Sequence, residues 1–175
     1  MLGGGKPKIM TGSRSRYALD TSILIDLHNG NLIEAFFSLP YQFLTPDVIV
    51  EELGTPDGKS LLRLGLRQVE LSARQVLDVM ALRATERSVS VNDLFAYVLA
   101  RDEKITLLTG DWRLRRLAER RLSTVHGVLW VLDEMVRLGV IQPDTASTGL
   151  TRMLAFGARL PKDECERRLR IWHSM

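Results

Sequence analysis

Apolar positions along this chain alternate between short runs and helical spacing, which predicts strands and helices in turn. Residues 17–19 form a short apolar run, and Ile23, Leu24 and Leu27 follow at the spacing of a helix that continues toward Phe36. The same change of period recurs along the chain. It predicts strands at residues 17–19, 42–45, 67–71, 105–108 and 124–126. It predicts helices at residues 23–36, 46–53, 72–87, 90–101, 112–121, 128–138, 145–156 and 162–172.

Strands that alternate with helices indicate a parallel sheet, because each crossover between parallel strands is long and carries a helix. We therefore predict a three-layer α/β/α sandwich around a central, mainly parallel sheet of four or five strands. A chain of 175 residues, 45% of them hydrophobic, is long enough for one well-buried domain. We assign that domain to residues 17–175, including the C-terminal helices, and expect residues 1–16 to be a flexible basic leader.

The net charge of +3 is unevenly distributed along the sequence. Residues 1–16 carry four basic and no acidic side chains, whereas residues 17–58 carry seven acidic and no basic ones. An acidic patch among basic surfaces would suit a cation site that acts on a polyanion, and ordinary surface charge is the alternative. No apolar run reaches the roughly 20 residues that span a bilayer, so we expect a cytoplasmic protein without membrane contact.

Four acidic residues lie where a parallel sheet places its functional sites. Asp20 and Asp111 each follow a predicted strand, and Glu52 and Asp93 lie on helices that can reach the same edge. Clustered carboxylates repel one another unless they share protons or bind cations. Cys165 is the only cysteine, so the chain lacks the ligand set of a zinc-type site. The expected ion is therefore one that prefers oxygen ligands, Mg²⁺ or Mn²⁺.

Each of these acids also has a purely structural interpretation. Asp20 and Asp111 directly precede helices and can serve as N-caps, and Asp93 stands three residues after Ser90, which is the spacing of a capping box. Glu52 adjoins Glu51, and such a pair is often a solvated helix face. A metal site is therefore indicated only by the four acids together.

Four segments together resemble the successive motifs of PIN domains, over about residues 17–157. They read YALDTSILIDL, TPDVIVEEL, SVSVNDLFAYVLA and ITLLTGDWRLRRLA. The resemblance implies metal-dependent RNA cleavage, with RNA as substrate and Mg²⁺ or Mn²⁺ as cofactor. It places the acidic site at Asp20, Glu52, Asp93 and Asp111, which would be both catalytic residues and metal ligands. It also places supporting hydroxyls at Ser22 and Thr109.

The C-terminal segment VHGVLWVLDEMVRLGVI resembles a PIN branch close to VapC-type toxins, which implies a protein antitoxin as a further partner. Two departures from the family pattern stand out. Gly110 occupies the place of the frequent first Asp of an Asp-Asp pair, and the match at Asp93 is looser. Glu51 is the fallback for Glu52. A non-catalytic module that binds nucleic acid or a partner therefore stays open. A phosphatase that uses Asp20 as nucleophile is a further alternative, but such enzymes usually carry a second Asp where this chain has Ser22.

The helix after Asp111 is rich in arginine, and we predict that Arg113, Arg115 and Arg116 bind the nucleic-acid backbone. A solvated face with pairing to Glu119 is the alternative. Trp112 either stacks on a base or packs against a neighbouring helix.

The three histidines show no ligand spacing and are not predicted to be catalytic. Trp130, Leu132 and Val136 fit either the core or a dimer face, and we expect a homodimer.

Overall fold

A computed structural model describes residues 14–121 and 123–175, which form one five-stranded sheet with helices on both faces. All strand pairs are parallel, and the order across the sheet is β3-β2-β1-β4-β5. The strands are β1 (Arg16–Leu19), β2 (Gln42–Pro46), β3 (Arg67–Val69), β4 (Thr106–Leu108) and β5 (Val125–His126). The predicted fold class, a three-layer α/β/α sandwich around a parallel sheet, is confirmed.

Helices connect the strands and extend beyond the last one. They are α1 (Thr21–Asn29), α2 (Ile33–Phe37), α3 (Asp47–Glu52), α4 (Gly58–Leu64), α5 (Ala73–Thr85), α6 (Val91–Glu103), α7 (Trp112–Arg120), α8 (Val128–Arg137), α9 (Pro143–Ala155) and α10 (Lys162–His173). The predicted capping of α5 by Ser72 is present as a full capping box with Gln75. The predicted strands and most predicted helices therefore agree with the structure to within a few residues.

Two segments differ from the prediction. The single helix expected from Ile23 toward Phe36 is divided into α1 and α2, since Asn31 adopts a left-handed backbone conformation with φ of 58°. The turn-rich segment after Gly54 is followed by α4, which we did not predict. Its first residue, Gly58, packs so closely on α3 that an added Cβ would lie 2.2 Å from the carbonyl oxygen of Val50. Only glycine permits that contact.

Successive residues of the three central strands contribute to the cores on opposite faces of the sheet. Leu19, in β1, belongs to the core formed with α1, α2, α8, α9 and α10. Ala18, its neighbour, belongs to the core that includes α6 and α7. The α8 residues Trp130, Leu132 and Val136 all pack in or against the first core, which accounts for their apolar pattern within one chain. The predicted homodimer stays a prediction.

The predicted leader, residues 1–16, lies mostly outside the described residues, which begin at residue 14. β1 starts at Arg16, one residue before the predicted start of the ordered domain. The division into leader and domain otherwise stays a prediction. Within the described part of the chain, no helix is long and apolar enough to cross a membrane.

Candidate functional site

Asp20 lies at the carboxyl end of β1, in the middle of the sheet, and its side chain is completely buried. One carboxylate oxygen, Oδ1, accepts hydrogen bonds from the backbone N–H of Ile23 at 3.1 Å and the hydroxyl of Ser22 at 2.7 Å. The other, Oδ2, accepts a hydrogen bond from the hydroxyl of Thr109. Asp20 is thus the N-cap of α1, and it is also held from the adjacent strand.

Asp111 follows β4, the strand that pairs with β1, and it caps α7. Its carboxylate accepts from the N–H groups of Arg113 at 2.8 Å and Leu114 at 2.9 Å. Its own N–H donates to Thr109 Oγ1 at 3.0 Å. The buried hydroxyl of Thr109 therefore connects Asp20 and Asp111, since it donates to one residue and accepts from the other.

Asp93 and Glu52 approach the same edge from helices. Asp93 is in the first turn of α6, where its N–H donates to Ser90, the N-cap, at 3.1 Å. Glu52 is the last residue of α3, and it accepts a hydrogen bond from the side-chain amide of Asn92. Glu52 is exposed and Asp93 half-buried. The contact with Asn92 brings Glu52 to the start of the helix that carries Asp93.

The electrostatics connect three of these acids. Burial raises the pKa of Asp20 from 3.8 to about 7, and the negative charge of Asp93 contributes to the increase, whereas the bonds from Thr109 and Ser22 oppose it. Burial also raises the pKa of Asp93, and there the charge of Asp111 adds to the effect. The charge of Asp93 therefore acts on Asp20, and the charge of Asp111 acts on Asp93.

A fifth carboxylate, which the sequence analysis did not single out, lies beside this group. Asp26 is on α1, and burial raises its pKa from 3.8 to about 6. Among the described residues its carboxylate has no hydrogen-bond or salt-bridge partner. A Cβ added to Gly110 would lie 3.3 Å from Asp26 Oδ2 and 3.1 Å from Ser22 Oγ. The backbone at Gly110 thus lies so close to Ser22 and Asp26 that a side chain there would be crowded.

The arginines of α7 lie at the rim of this edge. The guanidinium groups of Arg113 and Arg116 lie 5.6 and 5.7 Å from the centroid of the Trp112 ring, which is 56% exposed. Arg115 points toward the sheet, where Nη2 donates to the carbonyl of Thr109 at 3.5 Å. It also makes a long contact of 3.6 Å with Glu119. Trp112 is therefore at the surface rather than packed beneath a neighbouring helix.

Asp20 and Asp111 both cap helices that begin at the same edge of the sheet. The two residues can therefore be helix caps and members of one site at the same time. Among the described residues, no group of three or more His, Cys, Asp or Glu side chains is arranged closely enough to bind a metal ion. Asp93 thus acts on Asp20, and Asp111 acts on Asp93, although the described carboxylates share no common coordination point. The assignment of these residues as catalytic residues and ligands stays a prediction.

Comparison with known protein families gives a match. The family described as a PIN domain matches residues 16–174, which is nearly the whole chain and includes every site residue discussed above. No curated protein matches the chain.

Proposed function

Because this chain belongs to the PIN-domain family, we propose that it is a metal-dependent endoribonuclease that hydrolyses phosphodiester bonds in RNA. PIN domains are in general nucleases, and they typically use divalent metal ions. The observation that carries the proposal is the position of Asp20, Asp93 and Asp111. Three segments distant in sequence place a carboxylate at the same edge of the sheet, where each charge affects the next. The proposal extends to a toxin role, with a protein antitoxin as partner.

The donor set suits the ion that the family uses. All the candidate donors are carboxylates, the hard oxygen ligands that Mg²⁺ and Mn²⁺ prefer. Asp26 adds a further carboxylate close by, since a Cβ at Gly110 would lie 3.1 Å from Ser22 Oγ and 3.3 Å from Asp26 Oδ2. Asp20, Glu52, Asp93 and Asp111 would hold the ion, directly or through water. When bound, it would offset the repulsion between carboxylates and activate water for attack on phosphorus.

Residues around the acids would orient the site and the substrate. Ser22 and Thr109 fix both oxygens of Asp20, so its carboxylate is already oriented before RNA arrives. The guanidinium groups of Arg113 and Arg116, at the exposed start of α7, can pair with phosphates of the RNA backbone. The N–H groups at that helix start are already taken by Asp111, which leaves phosphate binding to the side chains.

The test is cleavage of an unstructured RNA by the wild-type protein and by Asp20→Asn, each with Mn²⁺ and with EDTA. We expect Mn²⁺-dependent fragments with new 5′-phosphate ends from the wild type, and a loss of at least about 100-fold in Asp20→Asn. Asp144→Asn is the matched control, since it removes an exposed carboxylate on α9 and should leave cleavage unchanged. Circular dichroism would show that each variant is folded. Unchanged cleavage by folded Asp20→Asn would remove this residue from the site.

A second candidate is a non-catalytic module that binds RNA or a partner protein. Two observations favour it: the described acids share no common coordination point, and both oxygens of Asp20 are already engaged by neighbouring donors. This candidate predicts salt-dependent retention of RNA with no new ends under Mn²⁺. The appearance of Mn²⁺-dependent 5′-phosphate ends would eliminate it.

A further inference from the structure

A cavity of about 550 Å³ lies next to the carboxylate edge. It begins at Thr109 and Gly110, the residues between β4 and Asp111, and passes β5 and the start of α8 to the loop before α10. Its volume is within the range of pockets that enclose one small ligand. None of the four predicted acids lines it, so it is a neighbouring compartment rather than the proposed metal site.

Two guanidinium groups give this cavity a positive wall. Arg115, Arg159 and Arg168 all line it. The charge of Arg168 is balanced by Asp133 at 2.8 Å and by Glu164 at 2.6 Å. Among the described residues, the only acidic group paired with Arg115 is Glu119, at the long distance of 3.6 Å, and its other contact is the weak bond to the neutral carbonyl of Thr109. Arg159 is exposed and makes no salt bridge within the described residues. The cavity therefore presents two arginines that can bind an anion such as phosphate.

An aromatic pair provides a second type of wall. The rings of His126 and Trp130 are stacked, with centroids 4.4 Å apart and planes inclined by 10°, and both residues line the cavity. Burial lowers the pKa of His126, and the charge of Arg115 lowers it further, so the imidazole is neutral at pH 7. Trp130 is fixed from behind by Tyr17, with ring centroids 5.4 Å apart. Such rigid, uncharged rings are the surfaces on which unpaired bases stack.

We propose that this cavity binds one nucleotide of single-stranded RNA beside the bond to be cut, with its base against His126 and Trp130 and its phosphate on Arg115 and Arg159. The inference rests on the proposed function, because the cavity shares Thr109 and Gly110 with the carboxylate edge. An RNA strand bound here would enter the acidic site directly. Of the three arginines predicted to contact RNA, Arg115 lies on the cavity side, and Arg113 and Arg116 lie around Trp112.

The test measures binding without turnover. The full chain is titrated in EDTA against a fluorescein-labelled, single-stranded tetraribonucleotide, and fluorescence anisotropy gives the dissociation constant. Arg159→Gln should weaken binding by about tenfold, the usual effect of one lost charge-assisted phosphate contact. Arg170→Gln is the matched control, because it removes the same charge from an exposed position on α10 that does not line the cavity. The control should weaken binding by less than about twofold.

A second measurement locates the base. A tetranucleotide that carries 4-thiouridine is cross-linked to the protein by ultraviolet light, and the labelled peptide is identified by mass spectrometry. Attachment within residues 125–130 supports the proposal. Attachment only elsewhere, or equal weakening by Arg159→Gln and Arg170→Gln, would overturn it.

These outcomes separate the cavity from the nuclease. If the protein binds in EDTA through Arg159 but never cleaves with Mn²⁺, the nucleotide site stands and the nuclease proposal fails. If Mn²⁺-dependent cleavage occurs but neither Arg159 nor the peptide at residues 125–130 is involved, the nuclease proposal stands and the cavity inference fails.

Discussion

The two halves of the candidate site differ in how firmly they hold their acids. The strand half consists of Asp20, Thr109 and Asp111, which follow the adjacent parallel strands β1 and β4 and are joined by hydrogen bonds. The helix half consists of Glu52 and Asp93, which lie on α3 and α6. Asp20 is completely buried, whereas Glu52 is exposed and held by Asn92.

This difference follows from where the residues lie. The sheet holds the backbone of a residue at the end of a central strand in place. Asp20 is further fixed because it caps α1. Glu52 ends a helix of six residues, and an exposed glutamate there keeps much of its rotamer freedom. We therefore infer that the strand half is preorganised and that the helix half adjusts when an ion or RNA binds. Substitutions in the strand half should accordingly affect stability, and those in the helix half should affect activity alone.

The largest expected effect is the dependence of stability on pH, which originates in the strand half. Asp20 has a pKa of about 7 in the folded protein against 3.8 ordinarily, so the folded state binds the proton more tightly. The stability that the protonated form confers is complete below about pH 4 and is lost as the pH rises through 7. In EDTA, the free energy of unfolding should fall across this window by a few kcal/mol. Urea denaturation at a series of pH values measures it.

Asp20→Asn is the control for this titration. Its free energy of unfolding should fall much less across the same window, and the remaining decline would come from Asp26 and Asp93, whose pKa values are also raised. Mn²⁺ at pH 8 should stabilise the wild type and have little effect on Asp20→Asn. If the free energy of unfolding of the wild type fell no more than that of Asp20→Asn between pH 4 and 7 in EDTA, Asp20 would not have the raised pKa that its burial implies.

The next largest effect is expected from the Thr109 hydroxyl, which connects Asp20 to Asp111 in the strand half. Thr109→Val keeps the shape of the side chain but removes the donor to Asp20 and the acceptor for the N–H of Asp111. The free energy of unfolding should fall by about 3 kcal/mol, since a buried carboxylate and a backbone N–H both lose a partner. Thermal or urea denaturation at pH 8 measures the change.

Thr45→Val is a matched control on β2, which pairs with β1 on the side opposite to β4. Thr45 is equally buried, but its hydroxyl donates to a neutral group, the carbonyl of Leu19, at 2.9 Å. Its replacement should cost about 1 kcal/mol. Equal losses in the two variants would mean that the charge of Asp20 does not increase the contribution of the Thr109 hydroxyl to stability. The distinction between the strand half and the helix half would then lose its main support.

The sequence was sufficient to predict the strand half. The change from a short apolar run to helical spacing located both strand ends, and the rule that parallel sheets gather their sites at the carboxyl edge placed Asp20 beside Asp111. The motif resemblance added Ser22 and Thr109, and both donate hydrogen bonds to Asp20. The strand ends are local features, and the general rule for parallel sheets then brings them together, so the sequence pattern reveals them.

Features that depend on packing between distant segments were not predictable in this way. Asp26 looks like an ordinary polar position of α1 in the sequence, and only the fold places it beside Gly110. The break between α1 and α2 depends on the left-handed backbone at Asn31, and α4 begins at a glycine selected by contact with Val50. The nucleotide cavity joins β5 to the start of α10, two regions that no sequence motif connects.

The smallest expected effect distinguishes two adjacent glutamates in the helix half. Glu52→Gln keeps the size of the side chain and can still accept a hydrogen bond from Asn92, but it removes a negative charge from the candidate site. We expect cleavage of the unstructured RNA with Mn²⁺ to fall by about tenfold, because an exposed ligand that acts partly through water contributes less than the buried Asp20. The free energy of unfolding should change by less than about 0.5 kcal/mol, as is usual for exposed positions.

Glu51→Gln makes this prediction decisive, because it removes the same charge one residue earlier on the same helix. Glu51 is also exposed, and within the described part of the chain it has no hydrogen bond to α6 comparable to the bond between Glu52 and Asn92. Successive helix residues point about 100° apart, so only one of the two can face the start of α6. Cleavage by Glu51→Gln should therefore match the wild type. If cleavage is lost in Glu51→Gln and normal in Glu52→Gln, the ligand is Glu51 rather than Glu52. An equal loss of cleavage in both variants would indicate a general effect of charge, and neither residue would be a ligand.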